Sequence, residues 1–267
     1  MHKIYVIPTP IGNLNDFTLR SIEILKSVKY LFCEDTKVTG KLKKYLNLDL
    51  QLISLHKFNE VSRISEIEKI LIKDDIAIVS DAGTPTISDP GQKIIHYFKK
   101  MQVKIIPLPG ANAITTALSG SGLEFSSFTF IGFLEKEESK INHEILKHLN
   151  SDVIICYESP NRINKTLFIL NNRFGNIKVV IARELTKIYE EILYDNISNL
   201  IDKTFKGEIV LLIPTIEIKN ESNNNLKEHI DKLKKLKIDN KSIINYLSTM
   251  KMFKKNDVYN YLKNSKY

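Results

Sequence analysis

Ile76-Ala-Ile-Val79 runs directly into Ser80-Asp-Ala-Gly-Thr-Pro-Thr-Ile-Ser-Asp-Pro-Gly91, and Gln92 to Lys100 follows with Ile94, Ile95 and Phe98 at helical spacing. The first four residues are apolar and mostly β-branched, the composition of a buried strand. Two glycines and two prolines in the next twelve residues exclude a continuous element there. A strand, a low-bulk loop and a helix form the unit from which open α/β sheets are built, and ligands bind beyond the carboxyl ends of such strands. The pattern repeats at once: the strand Val103-Lys-Ile-Ile106, then Pro107-Leu-Pro-Gly-Ala-Asn-Ala113, then a helix of small residues. Two strand-end loops of this kind in succession point to one shared pocket.

Working outward, the same alternation holds. Lys3 to Ile7 reads as a first strand ending in Pro8-Thr-Pro-Ile-Gly-Asn13, and Asp16 or Thr18 can cap a helix carrying Leu19, Ile22 and Leu25. Tyr30 to Cys33 is a strand ending in Glu34-Asp35-Thr36; a helix through Tyr45, a strand near Gln51 to Leu55 and a helix from about Val61 to Ile72 follow. Alternating β and α predicts a parallel sheet with helices on its faces. Gly120-Ser-Gly122 marks a boundary, after which Thr129 to Phe133, Val153 to Tyr157, Lys178 to Ala182, the alternating run Ile188 to Tyr194 and Ile209 to Ile213 read as strands. Phe174-Gly175 is a helix stop. Glu217 to Asn225 reads as a polar linker, and the tail beyond it as short amphipathic helices with Ile243, Ile244, Leu247, Val258, Tyr259 and Leu262 on their apolar faces. The expected organisation is an α/β domain over 1–120, a second over 121–216 and a basic helical extension over 226–267.

Of the net charge of +8, the tail from Leu226 to Tyr267 holds +7, with 11 Lys against 4 Asp plus Glu. Basicity concentrated in an appendage fits nucleic-acid binding. Lysine is abundant throughout, so the five arginines (Arg20, Arg63, Arg162, Arg173 and Arg183) carry more weight. No apolar run reaches membrane-spanning length, and Met1-His-Lys-Ile-Tyr enters a strand directly, so a cytoplasmic protein without a cleaved signal is expected. The two cysteines, Cys33 and Cys156, are too few for a disulfide framework and read as free buried thiols. The histidines lack ligand spacing, and no metal site is expected.

Asp81 at a strand end, with Gly83 beyond it, can accept hydrogen bonds from a small ligand that Gly83 lets approach; a capped turn fits the same residues. Pro109-Gly110-Ala111-Asn112-Ala113 opens a helix whose free N–H groups suit an anion, or makes a tight connection. Neither G-x-G-x-x-G nor G-x-x-x-x-G-K-[ST] is present, which argues against a dinucleotide fingerprint and a Walker loop. Glu34, Asp35, Glu158, Arg162, Arg183, Glu184 and Lys187 all fall at predicted strand ends, as functional groups on one rim or as plain surface. His56-Lys57-Phe58-Asn59 is a loop able to touch RNA, or an ordinary one.

Taken together, Pro8-Thr-Pro-Ile-Gly-Asn13, Glu34-Asp-Thr36, Ser80-Asp-Ala-Gly-Thr-Pro85 with Ser88-Asp-Pro-Gly91, Pro107-Leu-Pro-Gly110, Tyr157-Glu-Ser-Pro160 with Arg162, and Ala182-Arg-Glu-Leu-Thr-Lys187 form six ordered motifs. In that order they resemble the ribosomal RNA small subunit methyltransferase I family, ribose 2′-O-methyltransferases of the tetrapyrrole methylase superfamily. The match runs from Lys3 to about Ile213, and Lys255-Asn-Asp-Val-Tyr-Asn-Tyr-Leu262 resembles the family's helical extension. The sequence departs from the family pattern at Lys37, Glu135, Asn161 and Ala111-Asn112.

The resemblance implies two α/β domains with S-adenosylmethionine in a cleft between them, no metal, a homodimer, and methylation of a cytidine ribose in the decoding region of 16S rRNA within the small ribosomal subunit. It implies cofactor contacts at Pro10, Asp81, Gly83, Thr84, Ile87, Ala111, Asn112 and Ala113, joined by Tyr157, Leu185, Gly207 and Glu208. Arg20, His56, Arg162, Arg183 and Lys187 are candidates to touch RNA. A ribose hydroxyl is a poor acid, so a nearby proton acceptor is expected. Asp35, Glu158 and Glu184 are candidates, Glu158 first because it lies between a strand end and Arg162. Two other functions remain: a small-molecule tetrapyrrole C-methyltransferase, which needs no basic tail, and a non-catalytic RNA-binding assembly factor, which needs no cofactor.

Overall fold

Apolar residues alternating between two faces build the first sheet. In the computed structural model, which describes residues 2–249, 253 and 255–264, β1 (Lys3–Val6), α1 (Leu19–Ser27), β2 (Tyr30–Cys33), α2 (Thr36–Tyr45), β3 (Gln51–Ser54), α3 (Glu60–Ile70), β4 (Ile76–Val79), α4 (Gln92–Lys100), β5 (Lys104–Pro107) and α5 (Ala113–Gly120) follow in turn. The strands pair in parallel in the order β3-β2-β4-β1-β5, with Ile4 opposite Ile76 and Phe32 opposite Ile78. Ile76 and Ile78 join Ile4, Phe32, Ile67, Ile94 and Phe98 in one core layer. Their neighbours Ala77 and Val79 join Leu25, Leu31 and Cys33 in the other. This is the two-residue period of a strand, and burial on both faces is why β4 reads as an unbroken apolar run. β1 and β4 are neighbours, yet α1 after β1 and α4 after β4 pack on opposite faces. In open α/β sheets, neighbouring strands whose following helices lie on opposite faces mark the place on the carboxyl rim where ligands bind.

The second sheet holds β6 (Phe128–Phe133), β7 (Val153–Glu158), β8 (Lys178–Arg183), β9 (Glu191–Asn196) and β10 (Ile209–Pro214), in the order β6-β7-β10-β8-β9. Its helices are α6 (Glu138–Lys147), α7 (Ile163–Phe174) and the single turn α8 (Ile197–Leu200). α7 stops at Gly175, whose φ of 82° lies in the left-handed region that glycine enters without strain. The alternating run from Ile188 begins later than its pattern predicts: the strand starts at Glu191, and Ile188 and Tyr189 stand exposed in the turn before it.

The stretch expected as a linker lies instead inside α9 (Thr215–Lys235), because polarity alone does not break a helix and no glycine or proline interrupts it. α9 is followed by α10 (Asn240–Thr249) and α11 (Lys255–Asn264), and the three share a core of Leu226, Ile230, Ile243, Leu247, Val258 and Leu262. Tyr259, expected on the apolar face of α11, is 55% exposed and points outward. Parts of the expected extension (Met250 to Met252, Lys254 and Ser265 to Tyr267) lie outside the described residues, as do the side chains of 219–224.

The chain divides into two compact units. One comprises Met1–Gly122, Ile181–Leu193 and Lys206–Val210; the other comprises Leu123–Val180, Tyr194–Phe205 and Leu211–Tyr267. No helix among the described residues is long and apolar enough to cross a membrane. Both cysteines are buried and free.

Candidate active site

Four loops of the first unit meet at the carboxyl rim of its sheet. After β1 and β4 the chains stay paired, Thr9 N donating to Gly83 O and Gly83 N to Thr9 O, both at 2.9 Å. Thr9 Oγ1 donates to Ser80 O at 3.1 Å. The loop after β5 is tied in by Thr84 Oγ1, which donates to Ala111 O at 3.1 Å. The loop after β2 joins through Asp35 N, donating to Asp81 Oδ1 at 3.0 Å. The Asp81 and Pro109 segments therefore lie at one rim. Gly83 has φ +77°, and a methyl group on it would meet Ile11 Cγ2 at 3.4 Å and Ala111 O at 3.9 Å. A methyl group on Gly110 would sit 2.7 Å from Pro8 Cβ. A side chain does not fit at Gly110 and is disfavoured by the backbone at Gly83, so the loops pass close together.

The segment after β8 joins this unit rather than standing apart. Asn13 N donates to Thr186 Oγ1 at 3.0 Å, and a Cβ on Gly12 would lie 2.7 Å from Thr186 Oγ1 and 2.9 Å from Leu185 O. Glu184 accepts from Lys187 Nζ at 2.8 Å and from Glu208 N at 3.0 Å, and these bonds, Lys187 first, hold its carboxyl below the usual range. Gly207, at φ +82°, leaves room for the Glu184 side chain where a Cβ would collide with it. The structure thus gathers Pro10, Asp81, Gly83, Thr84, Ile87, Ala111, Asn112, Ala113, Leu185, Gly207 and Glu208 in one unit. Tyr157 lies in the other, its ring 4.9 Å from Phe130 and 5.4 Å from Phe133.

One expectation is corrected here. The start of α5 does not offer free N–H groups throughout: Asn112 Oδ1 accepts from Ile114 N at 3.0 Å and Thr115 N at 3.2 Å. Asparagine is a strong N-cap, and its side chain has taken the place an anion would occupy.

The candidate acids differ sharply in what surrounds them. Asp35 caps α2, accepting from Lys37 N at 2.7 Å. Glu158 has a side chain of 0% exposure and accepts from Ser159 N at 2.8 Å and Thr166 Oγ1 at 2.7 Å, with Arg162 Nε 3.4 Å away. Arg162 itself donates from Nη2 to Leu134 O and Glu135 O, both at 2.7 Å, so its fork holds the β6 end in place. Arg183 is held by Glu191 at 2.6 Å, and Lys187 by Glu184 and Glu208. Arg20 is exposed on α1. His56 stands in the loop after β3, its ring 6.1 Å from that of Phe58, which is 97% exposed.

An acid outside those candidates stands out. Asp89 is half-buried in the loop after β4, and burial pushes its carboxyl up to about 6, partly offset by a hydrogen bond from Ser80, with the charge of Glu34 adding to the rise and Lys57 opposing it. Burial likewise raises Glu34 and Asp81. The loop carrying Asp89 is strained: Thr86 and Ser88 have φ of 74° and 69°, the left-handed region that a β-branched residue rarely enters. Gln92 Nε2 holds the turn by donating to Thr86 O at 2.7 Å. The Ser88-Asp-Pro-Gly91 motif was visible in the sequence, but its burial was not. Among the described residues no group of three metal-ligating side chains comes together.

The sequence matches the tetrapyrrole (corrin/porphyrin) methylase family over residues 3–201. It is 44% identical over 218 residues to the ribosomal RNA small subunit methyltransferase I of Hydrogenobaculum sp. (strain Y04AAS1), covering 79% of this chain and 95% of that protein. The protein of the same name from Halalkalibacterium halodurans is 36% identical over 270 residues, covering 96% and 93%, so this likeness extends into the basic tail. A solved diphthine synthase shares the fold with a TM-score of 0.63 at 13% identity, covering 80% of this chain and 90% of that one. Motifs, sheet topology and relatives agree: the chain belongs to the tetrapyrrole methylase family and, within it, to the ribosomal RNA small subunit methyltransferase I group.

Proposed function

We propose that the chain transfers a methyl group from S-adenosylmethionine to the 2′-oxygen of a cytidine ribose in the decoding region of 16S rRNA, acting as a cytoplasmic homodimer. The observation that carries the reading is the clasp of four rim loops through Thr9, Asp35, Asp81, Gly83, Thr84 and Ala111, in a chain related to rRNA methyltransferases. The rim fits the donor in kind: small side chains let a ligand approach, and the half-buried carboxylate of Asp81 can accept from ribose hydroxyls or an ammonium. Pro10, Asp81, Gly83, Thr84, Ile87 and Ala111 to Ala113 would hold it, with Leu185, Gly207, Glu208 and Tyr157 as further contacts.

Bound there, such a donor supplies a methyl group on a positively charged sulfur that departs with the bonding electrons. What remains for the chain is alignment of the ribose oxygen and removal of its proton. Asp89 is best suited to accept that proton. An acceptor works best when its pKa lies near the operating pH, and burial pushes Asp89 up to about 6. Glu158 and Asp35 are engaged by local donors, and Glu184 is held by Lys187. Arg162, Arg183 and Lys187 position loops through their internal partners, while Arg20 and the His56 loop are free to meet RNA.

Mapping ribose methylation in small-subunit RNA from cells lacking this protein tests the reading. One cytidine should lose its 2′-O-methyl group and regain it on complementation; an unchanged map would refute the function.

A further inference from the structure

The tail differs from the rest of the chain in charge and in what it exposes. Its three helices bury six aliphatic side chains in a core of their own, yet Tyr246 and Tyr259 remain 52% and 55% exposed. Between α10 and α11 lies a concavity of about 270 Å³ lined by Lys241, Ile244, Asn245, Lys255, Asn256 and Tyr259. Among the described residues, the tail's one lysine in an ion pair is Lys232, held by Glu228 at 2.6 Å; Lys241 and Lys255 have no acidic partner. Of the nearby acids, Asp239 caps α10 by accepting from Lys241 N at 2.9 Å and Ser242 N at 3.0 Å. Asp257 is exposed on α11 and does not line the groove.

Each lining group has a matching chemistry. Two unpaired ammonium groups suit phosphate oxygens, an exposed phenol ring offers a stacking face, and two carboxamides present donors and acceptors to a base edge. The volume falls just under the roughly 300–1,000 Å³ typical of small-ligand pockets, which is room for one base and not for a duplex. Bases within a duplex are stacked away from such a groove, whereas single strands splay theirs onto aromatic side chains.

We infer that the α10–α11 groove docks one unstacked nucleotide of single-stranded RNA, its base against Tyr259 and its flanking phosphates on Lys241 and Lys255. The inference rests on the RNA-methyltransferase reading and extends it: the tail holds the substrate strand at a place separate from the methyl-transfer loops. It names a defined site in place of diffuse attraction to a basic surface.

Fluorescence anisotropy of the full-length protein with a labelled unstructured RNA oligonucleotide, over a series of salt concentrations, tests it. Lys241→Gln with Lys255→Gln should lower the slope of log affinity against log salt by about 1.4, two single-strand phosphate contacts at about 0.7 each. Tyr259→Ala should weaken binding about tenfold with the slope unchanged, and Tyr259→Phe should restore it. The same charge change at Lys99 and Lys100, both exposed on α4, should leave the slope as it was. The inference is overturned if the two lysine pairs behave alike, or if Tyr259→Ala binds as tightly as wild type. It is also overturned if anionic phosphatidylglycerol vesicles bind with the Tyr259 dependence that RNA lacks. Methyl transfer to small-subunit RNA, measured in parallel on wild type, keeps the two readings apart: activity with groove-independent binding removes the docking site alone. The variants lie outside the tail's core, so each retains a folded bundle, verifiable by circular dichroism.

Discussion

Replacing Asp89 with Asn should abolish most activity while making the protein more stable. Its carboxyl is raised from an ordinary 3.8 to about 6, chiefly by burial. The protonated form is therefore favoured in the folded state, and its stabilising effect is complete below about pH 4 and lost as pH rises through about 6. Fully buried, that difference would amount to about 3 kcal/mol, at 1.36 kcal/mol per pKa unit. Asp89 is only half-buried, and solvent screening reduces the figure to roughly 1–2 kcal/mol. Asparagine carries no charge at any pH and its oxygen can still accept from Ser80. The variant should thus melt about 2–8 °C above wild type at pH 7.5, at about 2–4 °C per kcal/mol. The gap should close on acidification to about pH 4. Single-turnover methylation should meanwhile fall by about 10²–10⁴, the usual contribution of general-base catalysis, with S-adenosylmethionine affinity unchanged. The wild-type rate should climb with pH through about 6 and then level, because the ionised form is the active one. An Asp89→Asn protein that keeps wild-type turnover, or that melts lower than wild type at pH 7.5, would refute both the proton-acceptor role and its electrostatic basis.

Three further outcomes follow from the geometry. Gly207→Ala places a Cβ against Glu184 at a positive φ, so urea denaturation should show a loss of roughly 1–3 kcal/mol. Glu158→Ala removes the buried partner of Arg162 and should cost about 3–5 kcal/mol, while Glu158→Gln, whose oxygen can accept from Ser159 N and whose amide can donate to Thr166 Oγ1, should lose less in the same assay. Thr84→Val deletes the bond to Ala111 O and loosens the clasp, so calorimetry should find S-adenosylmethionine bound about fivefold more weakly, in line with roughly 1 kcal/mol for one hydrogen bond.

Much of the first unit was legible because its strands are buried on both faces. β2 and β4 read as short apolar runs, and glycine and proline mark where they end. Thr18 as an N-cap and Gly175 as a helix stop were readable for the same reason: each role depends on a few adjacent residues. The six motifs also placed Asp81, Gly83 and the Ala111 to Ala113 run at one rim. Legibility failed where partners are distant in sequence. Arg162 reads as a phosphate fork from its type and rarity, but its guanidinium faces carbonyl oxygens 27 and 28 residues away. Asn112 reads as one of several small loop residues, yet its side chain closes the helix end that looked open.

The amino-acid sequence alone therefore determined the alternation of strands and helices, the rim on which the loops gather, the family, and the basic character of the tail, all of which depend on local composition and order. Only the tertiary structure decided which donors engage Asp35, Glu158 and Glu184, that Asp89 is desolvated within its loop, and that Tyr259 faces a groove instead of a core. Proton affinity and accessibility are set by desolvation and by donors from other parts of the chain, and those exist only once the segments have packed together.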